Sequence, residues 1–370
     1  MFLQKTWFKL LWGPDFQVAI LVKFKEPLEL MGVPGSPYTR KMLALLRYRR
    51  IAYRFIPSSR HTSEGTNDRF RERPQPKVAL LPTFYAQNDS GQEVALCDST
   101  PLIREFEKTF PGRNVVPDNQ ALAFLDYLLE DYADEWLTKA MFHYRWSYEP
   151  DIYKAGQILA RWTNITSPEE AIVEKSKYIT EKQISRLRYV GSNETTRDTI
   201  EESFVRFIDL LNNHFCQMPF LLGERPSACD FAVYGQLTCL ALFDPTPQDI
   251  ILKQAPRVHA WTEVMEDLSG FETLPNDWIG TSSFPETLKN IFKEIGEVYV
   301  PYLLANEQSV LNKTNLMETE IGGRPWQQEP FQYQVKCLRW IRDIYDELNE
   351  ESKNDVKHCL TGSNTERLFG

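Results

Sequence analysis

At 370 residues the chain is long enough for two domains and an appendage, and its 42% hydrophobic and 25% charged fractions are those of an ordinary globule. A net charge of −9 argues against binding a phosphate backbone, so nucleic acid is not an expected partner. Six cysteines without a CxxC, and five isolated histidines, speak against a disulfide framework, a zinc site or any other metal centre.

Residues 1–27 read as an N-terminal extension. Leu3, Trp7, Leu10 and Leu11 have helical spacing with Lys5 and Lys9 between them, which suits docking on the rest of the chain better than lying on a membrane. Val18–Val22 is far too short to span a bilayer, and no apolar core precedes a small-residue cleavage site, so a cytoplasmic location is expected.

The apolar run Leu28–Val33 predicts a buried strand that breaks at Pro34-Gly35. Ser36-Pro37 then starts a helix, the hydroxyl capping free N–H groups and the proline fitting the first helical position. Met42, Leu45 and Leu46 form its apolar stripe, and Arg47, Arg49 and Arg50 close it near the negative pole of the dipole. A hydroxyl at a helix N-terminus beside a strand suits an anion, although Ser36 could serve as a cap and nothing more.

Ile51–Ile56 alternates like a strand, and the basic loop Pro57–Pro76, with Arg60, Arg69, Arg71 and Arg73, reads as mostly solvated. Val78–Leu81, Pro82 and Thr83–Ala86 predict a strand interrupted by proline. Asn88–Gly91 turns the chain, and Val94–Cys97 returns as a hairpin arm. Asp98-Ser99-Thr100-Pro101 opens a helix over Leu102–Thr109.

From Ala121 the pattern is helical for about 150 residues. Leu122, Leu125, Leu129, Tyr132 and Trp136 form one face. Glu130, Asp131, Asp134 and Glu135 crowd the others with unfavourable like-charge i,i+4 pairs, which predicts either a solvated face or a compensating cation, solvation being preferred. Ser227-x-x-Asp230 is a capping box ahead of a helix over Phe231–Leu242. Near the C-terminus, Val335, Leu338, Ile341, Ile344 and Leu348 share one helical face.

Ser36-Pro37-Tyr38-Thr39 resembles the Cys-Pro-Tyr-Cys turn of glutaredoxins with hydroxyls for sulfurs, and glutathione transferases build their thiol site on the same turn, several classes using Ser. With Pro82, Asp98-Ser99 and the later Ser-x-x-Asp box at family-like separations, the chain resembles the glutathione S-transferase superfamily over about residues 28–270. The resemblance implies an α/β plus all-α fold. A thioredoxin-like glutathione-binding domain (28–112) would precede a helical substrate domain (120–270) and an appended helical segment (271–370).

It further implies that Pro82 is cis, where the ordinary expectation is a trans edge proline. Leu81 would offer its backbone to the cysteinyl part of glutathione. Ser99 would hold the γ-glutamyl carboxylate and Asp98, in place of the commoner Glu, the α-amino group, although Ser99 or Thr100 as a plain cap remains the alternative. Lys77 departs from the family position for a glycyl-carboxylate ligand and carries over weakly. Ser36 would donate to the thiolate with Tyr38 as the alternative donor, and Asp131 and Trp136 are candidates for the second-substrate site.

The resemblance thus implies an enzyme that activates the glutathione thiol for attack on a small apolar electrophile, with glutathione as co-substrate or as cofactor of an isomerisation or reductive cleavage. The alternative is a non-catalytic binding or scaffold protein of the same fold. A homodimer is also implied, unless the terminal segments cover that surface.

Overall fold

Leu28, Leu30 and Met31 are buried because the first strand, β1 (Leu28–Gly32), lies inside a four-stranded sheet. The computed structural model describes residues 22–57, 73–162, 165–274 and 276–369. The expected helix around Leu3–Leu11, most of Val18–Val22, and Arg60, Arg69 and Arg71 lie outside the described residues. β1 pairs in parallel with β2 (Tyr53–Pro57) and antiparallel with β3 (Thr83–Gln87), and β3 pairs antiparallel with β4 (Glu93–Leu96). The order is therefore β2-β1-β3-β4. Helix α1 (Pro37–Tyr48) makes the crossover from β1 to β2, and α2 (Ser99–Thr109) follows β4. This is the expected thioredoxin-like arrangement.

Two local expectations are corrected. Val78–Leu81 is not strand: Pro82 has no N–H for the ladder, and the Thr83 hydroxyl turns back to donate to Leu80 O at 2.9 Å, so pairing begins only at Thr83. Arg73 is not solvated. It pairs with Glu29 and Glu93 and lies 3.9 Å over the Tyr85 ring.

Helix α3 (Gln120–Tyr132), capped by Asn119, runs through one π-helical turn (Ala133–Leu137) into α4 (Thr138–Ser147). Its apolar face is buried as expected, but so is the acidic one. Glu130, Asp131 and Asp134 are buried: Lys41 of α1 pairs with Glu130 and Asp134, Arg104 of α2 pairs with Glu130, and the Tyr299 hydroxyl of the C-terminal segment meets Asp131. Solvation was the wrong alternative.

Helices α5 (Glu149–Leu159), α6 (Glu169–Ile184), α7 (Arg197–His214), α8 (Ala228–Leu240), α9 (Pro245–Gln254) and α10 (Pro256–Val264) complete the second layer. The capping box forms at the start of α8. Asp230 accepts from Ser227 N at 2.9 Å and also from Leu221 N at 2.9 Å, so one carboxylate ties the turn to the helix.

The C-terminal segment is more than one helix. A long helix α11 (Glu286–Leu311) leads to a hairpin, β5 (Met317–Ile321) and β6 (Arg324–Gln328), turned by Gly322-Gly323 at φ 58° and 75°. Both glycines take left-handed backbone, which such a two-residue turn requires. Then come α12 (Gln332–Asp346) and α13 (Glu350–Leu360). No helix among the described residues is long and apolar enough to cross a membrane.

Candidate active site

The turn after β1 places Ser36 at the N-cap of α1, half-buried, with its Oγ accepting from Thr39 N at 3.2 Å. Since the oxygen accepts there, the hydroxyl proton remains to donate outward. The turn is held from the helical layer. Arg145, itself paired with Asp244, donates to Gly35 O at 3.1 Å, and the Trp162 ring packs where a Cβ on Gly35 would sit. Tyr38 does not share the site: its hydroxyl donates to Asp134 O at 2.7 Å, and burial raises its pKa well above the usual tyrosine value. It braces α1 against the π turn, which removes it as the alternative thiolate donor.

The Leu81–Pro82 bond, just ahead of β3, is cis. Lys77 is exposed on the loop before it. Ser99 is the first residue of α2 and is buried. Its neighbour Asp98 adopts φ 83° and makes no capping bond with its own helix, a conformation that costs about 1–3 kcal/mol.

Behind Ser99 stands Lys41, whose side chain is 1% exposed. Its ammonium donates to Ser99 Oγ (3.1 Å), Glu130 Oε1 (2.8 Å) and Asp134 Oδ2 (2.6 Å). An ammonium only donates, so Ser99 must accept from it, and the Ser99 proton is left for a ligand. Burial alone would lower the Lys41 pKa, but Asp134 and Glu130 outweigh it and hold it above the usual range. Glu130 is likewise held down against burial by Lys41 and Arg104, while burial pushes Asp134 up.

The appended segment closes the far side. Tyr333 on α12 donates to Asp98 Oδ2 at 3.2 Å, Gln334 donates to Glu135, and Tyr299 on α11 donates to Asp131 Oδ2 at 2.6 Å. Asp131 and Trp136 are therefore enclosed and do not line an open cleft. Trp136 donates to Ser203 Oγ at 3.3 Å and packs on Tyr302 and Trp326. Burial raises Asp131 to about 7, Tyr299 partly opposing. Lys139 lies 4.0 Å over the Tyr302 ring, and burial lowers it to about 7. Despite this crowd of carboxylates, no three His, Cys, Asp or Glu among the described residues converge as ligands for a metal.

The family model for the glutathione S-transferase N-terminal domain matches residues 30–114, a span that holds Ser36, Pro82 and Asp98-Ser99. Residues 30–114 are a glutathione S-transferase N-terminal domain. Among solved structures, the chain is similar to a glutathione S-transferase of Methylobacterium radiotolerans in complex with glutathione sulfonate (12% identity, 68% of this chain and 99% of that one, TM-score 0.39). It is similar also to the β-etherase LigF of Sphingobium sp. strain SYK-6 (18%, 72% and 99%, 0.45) and to FzlA of C. crescentus (13%, 70% and 98%, 0.40). No curated protein sequence matches. The assignment rests on the match over the N-terminal domain.

Sequence reasoning missed four residues that shape this candidate site: Lys41, Arg145, Trp162 and Tyr333. One was within reach. Lys41 shares a helical face with Leu45 and Tyr48, so its burial was implied by the spacing, and a buried lysine needs carboxylates. The other three come from distant elements and leave no local signal.

Proposed function

We propose that the chain binds reduced glutathione on its N-terminal domain and activates the thiol for attack on a small apolar electrophile. One observation carries this reading. Ser36 and Ser99 each have their oxygen occupied as an acceptor, by Thr39 N–H and by the Lys41 ammonium, and each stands at a helix N-terminus with its proton left to give. A thiol ionises near pH 8.5 in water. A hydroxyl donor and the positive end of α1 favour the thiolate and raise its share at neutral pH. Ser99, with Lys41 behind it, suits the γ-glutamyl carboxylate, and Asp98 suits the ammonium. We place the protein in the cytoplasm, where thiols persist; its cysteines form no disulfide.

Calorimetric titration with glutathione tests this on wild type, Ser36→Ala and Ser99→Ala. Losing a hydrogen bond to a charged group should weaken binding to Ser99→Ala about tenfold or more. Ser36→Ala should bind within a few-fold of wild type but lose thiolate absorbance at neutral pH. A second reading, a non-catalytic module of this fold, is favoured by Tyr333, which already occupies one oxygen of Asp98. It becomes the better account if wild type does not bind glutathione at millimolar concentration.

A further inference from the structure

Asp98 meets the other end of the chain. Its oxygen Oδ2 accepts from Tyr333 on α12, 235 residues away in sequence. This contact is built. The Asn306 carboxamide on α11 donates to Phe331 O at 2.9 Å and accepts from Phe331 N at 2.8 Å, fixing the residue that opens α12. Gln334 donates to Glu135, and Cys337, Leu338 and Ile341 bury the inner face of α12. Tyr333 is therefore held where it is by its neighbours on both sides.

We propose that the appended helix α12 sets the selectivity of the site for a thiol bearing a free α-amino-acid head, with Tyr333 and Lys336 acting as positioning residues through Asp98. The proposal rests on the glutathione reading above. A hydroxyl has one proton, and Tyr333 gives it to Oδ2, which orients the carboxylate and leaves Oδ1 for an ammonium. Lys336, whose ammonium lies 4.2 Å over the Trp340 ring of the same helix, adds positive charge that favours the ionised carboxylate. Burial disfavours an ionised Asp98, and Lys336, Tyr333 and Lys41 oppose it. Only the ionised form attracts an ammonium strongly. The other charged or titratable groups that feel Asp98 are Glu130 on α3, Asp134 and Glu135 in the π turn and Cys337 on α12. The three carboxylates among them disfavour its ionisation as burial does, and burial prevails, holding Asp98 above the usual carboxylate range; losing the opposing contribution of Tyr333 or Lys336 raises it further.

The test compares dissociation constants for glutathione and for the dipeptide Cys-Gly, which lacks the γ-glutamyl head, in full-length wild type, Tyr333→Phe and Lys336→Met. Wild type should prefer glutathione. Each variant should weaken glutathione binding about fivefold to tenfold and leave Cys-Gly within about twofold. The pH at which glutathione affinity reaches half its maximum should move upward in both variants, because Asp98 becomes harder to ionise. Lys336 is half-exposed, so Lys336→Met keeps the question answerable if Tyr333→Phe folds poorly. Equal weakening of both ligands, no change in either, or tighter glutathione binding would each overturn the proposal, the last making α12 a cover. Wild type binding neither ligand would instead overturn the glutathione reading itself.

Discussion

Asp131 illustrates what a carboxylate does when the rest of the chain folds over it. It is 8% exposed and titrates at about 7, raised by burial first and by Asp134 and Glu130 after it, with the Tyr299 hydrogen bond opposing. In the unfolded chain it titrates near 4. Between those values the folded protein holds a proton that the unfolded chain has released, so its contribution is present below about pH 4 and lost as pH rises through about 7. Asp131→Asn keeps the shape and an acceptor for Tyr299 without titrating. Relative to wild type, this variant should gain stability steadily between pH 4 and 7, by at most about 4 kcal/mol, and then level off. Urea unfolding at pH 4.5, 6 and 8 measures this, and a difference constant across the range would show that Asp131 is not protonated in the fold. The like-charge spacing that marks these acids is legible in the sequence. Their burial is not, because the periodicity of one helix is silent about the helices that land on its polar side.

At the level of elements, the placement of Ser36 depends on how closely α8 approaches α1. Gly235 lies at that crossing: a Cβ there would stand 2.6 Å from Pro37 O and 3.1 Å from Lys41 Cβ. The first of these is backbone and cannot rotate away, so Gly235→Ala must push the helices apart. We expect a loss of about 1–3 kcal/mol in thermal or chemical unfolding. A raised pKa of bound glutathione should accompany it, since Ser36 rides on α1. An unchanged thiol pKa in the destabilised variant would mean that the start of α1 is positioned from elsewhere, by Arg145 and Trp162. The elements legible in the sequence are those whose signals are local. Ser36-Pro37 starts α1, Asn88–Gly91 turns the hairpin, and Ser227 with Asp230 caps α8. Gly322-Gly323 is an equally local turn signal, yet β5 and β6 are half polar and contain Pro325, so their alternation does not stand out. The long α11 hides for a different reason. It is buried on several sides, and Pro301 interrupts its pattern.

For the whole molecule, the consequence is that the appended segment and the N-terminal domain share one core. A continuous cluster of buried side chains runs from Leu28 in β1 to Leu368 beyond α13, and Trp136, Tyr299, Tyr302 and Trp326 join the π turn to α11 and the hairpin. Domains joined only by small polar interfaces unfold separately, whereas a shared apolar core couples them. Denaturation followed by far-ultraviolet dichroism, tryptophan fluorescence and glutathione binding should therefore give coincident transitions. Trp326→Ala, which empties a fully buried position, should shift all three together and cost about 3–5 kcal/mol. If the fluorescence transition moved alone and glutathione binding kept its midpoint, the hairpin and its helices would be an independent unit resting on the site. Coincidence would mean instead that the grip of α12 on Asp98 is maintained by the stability of the entire chain, and is released only when the molecule unfolds.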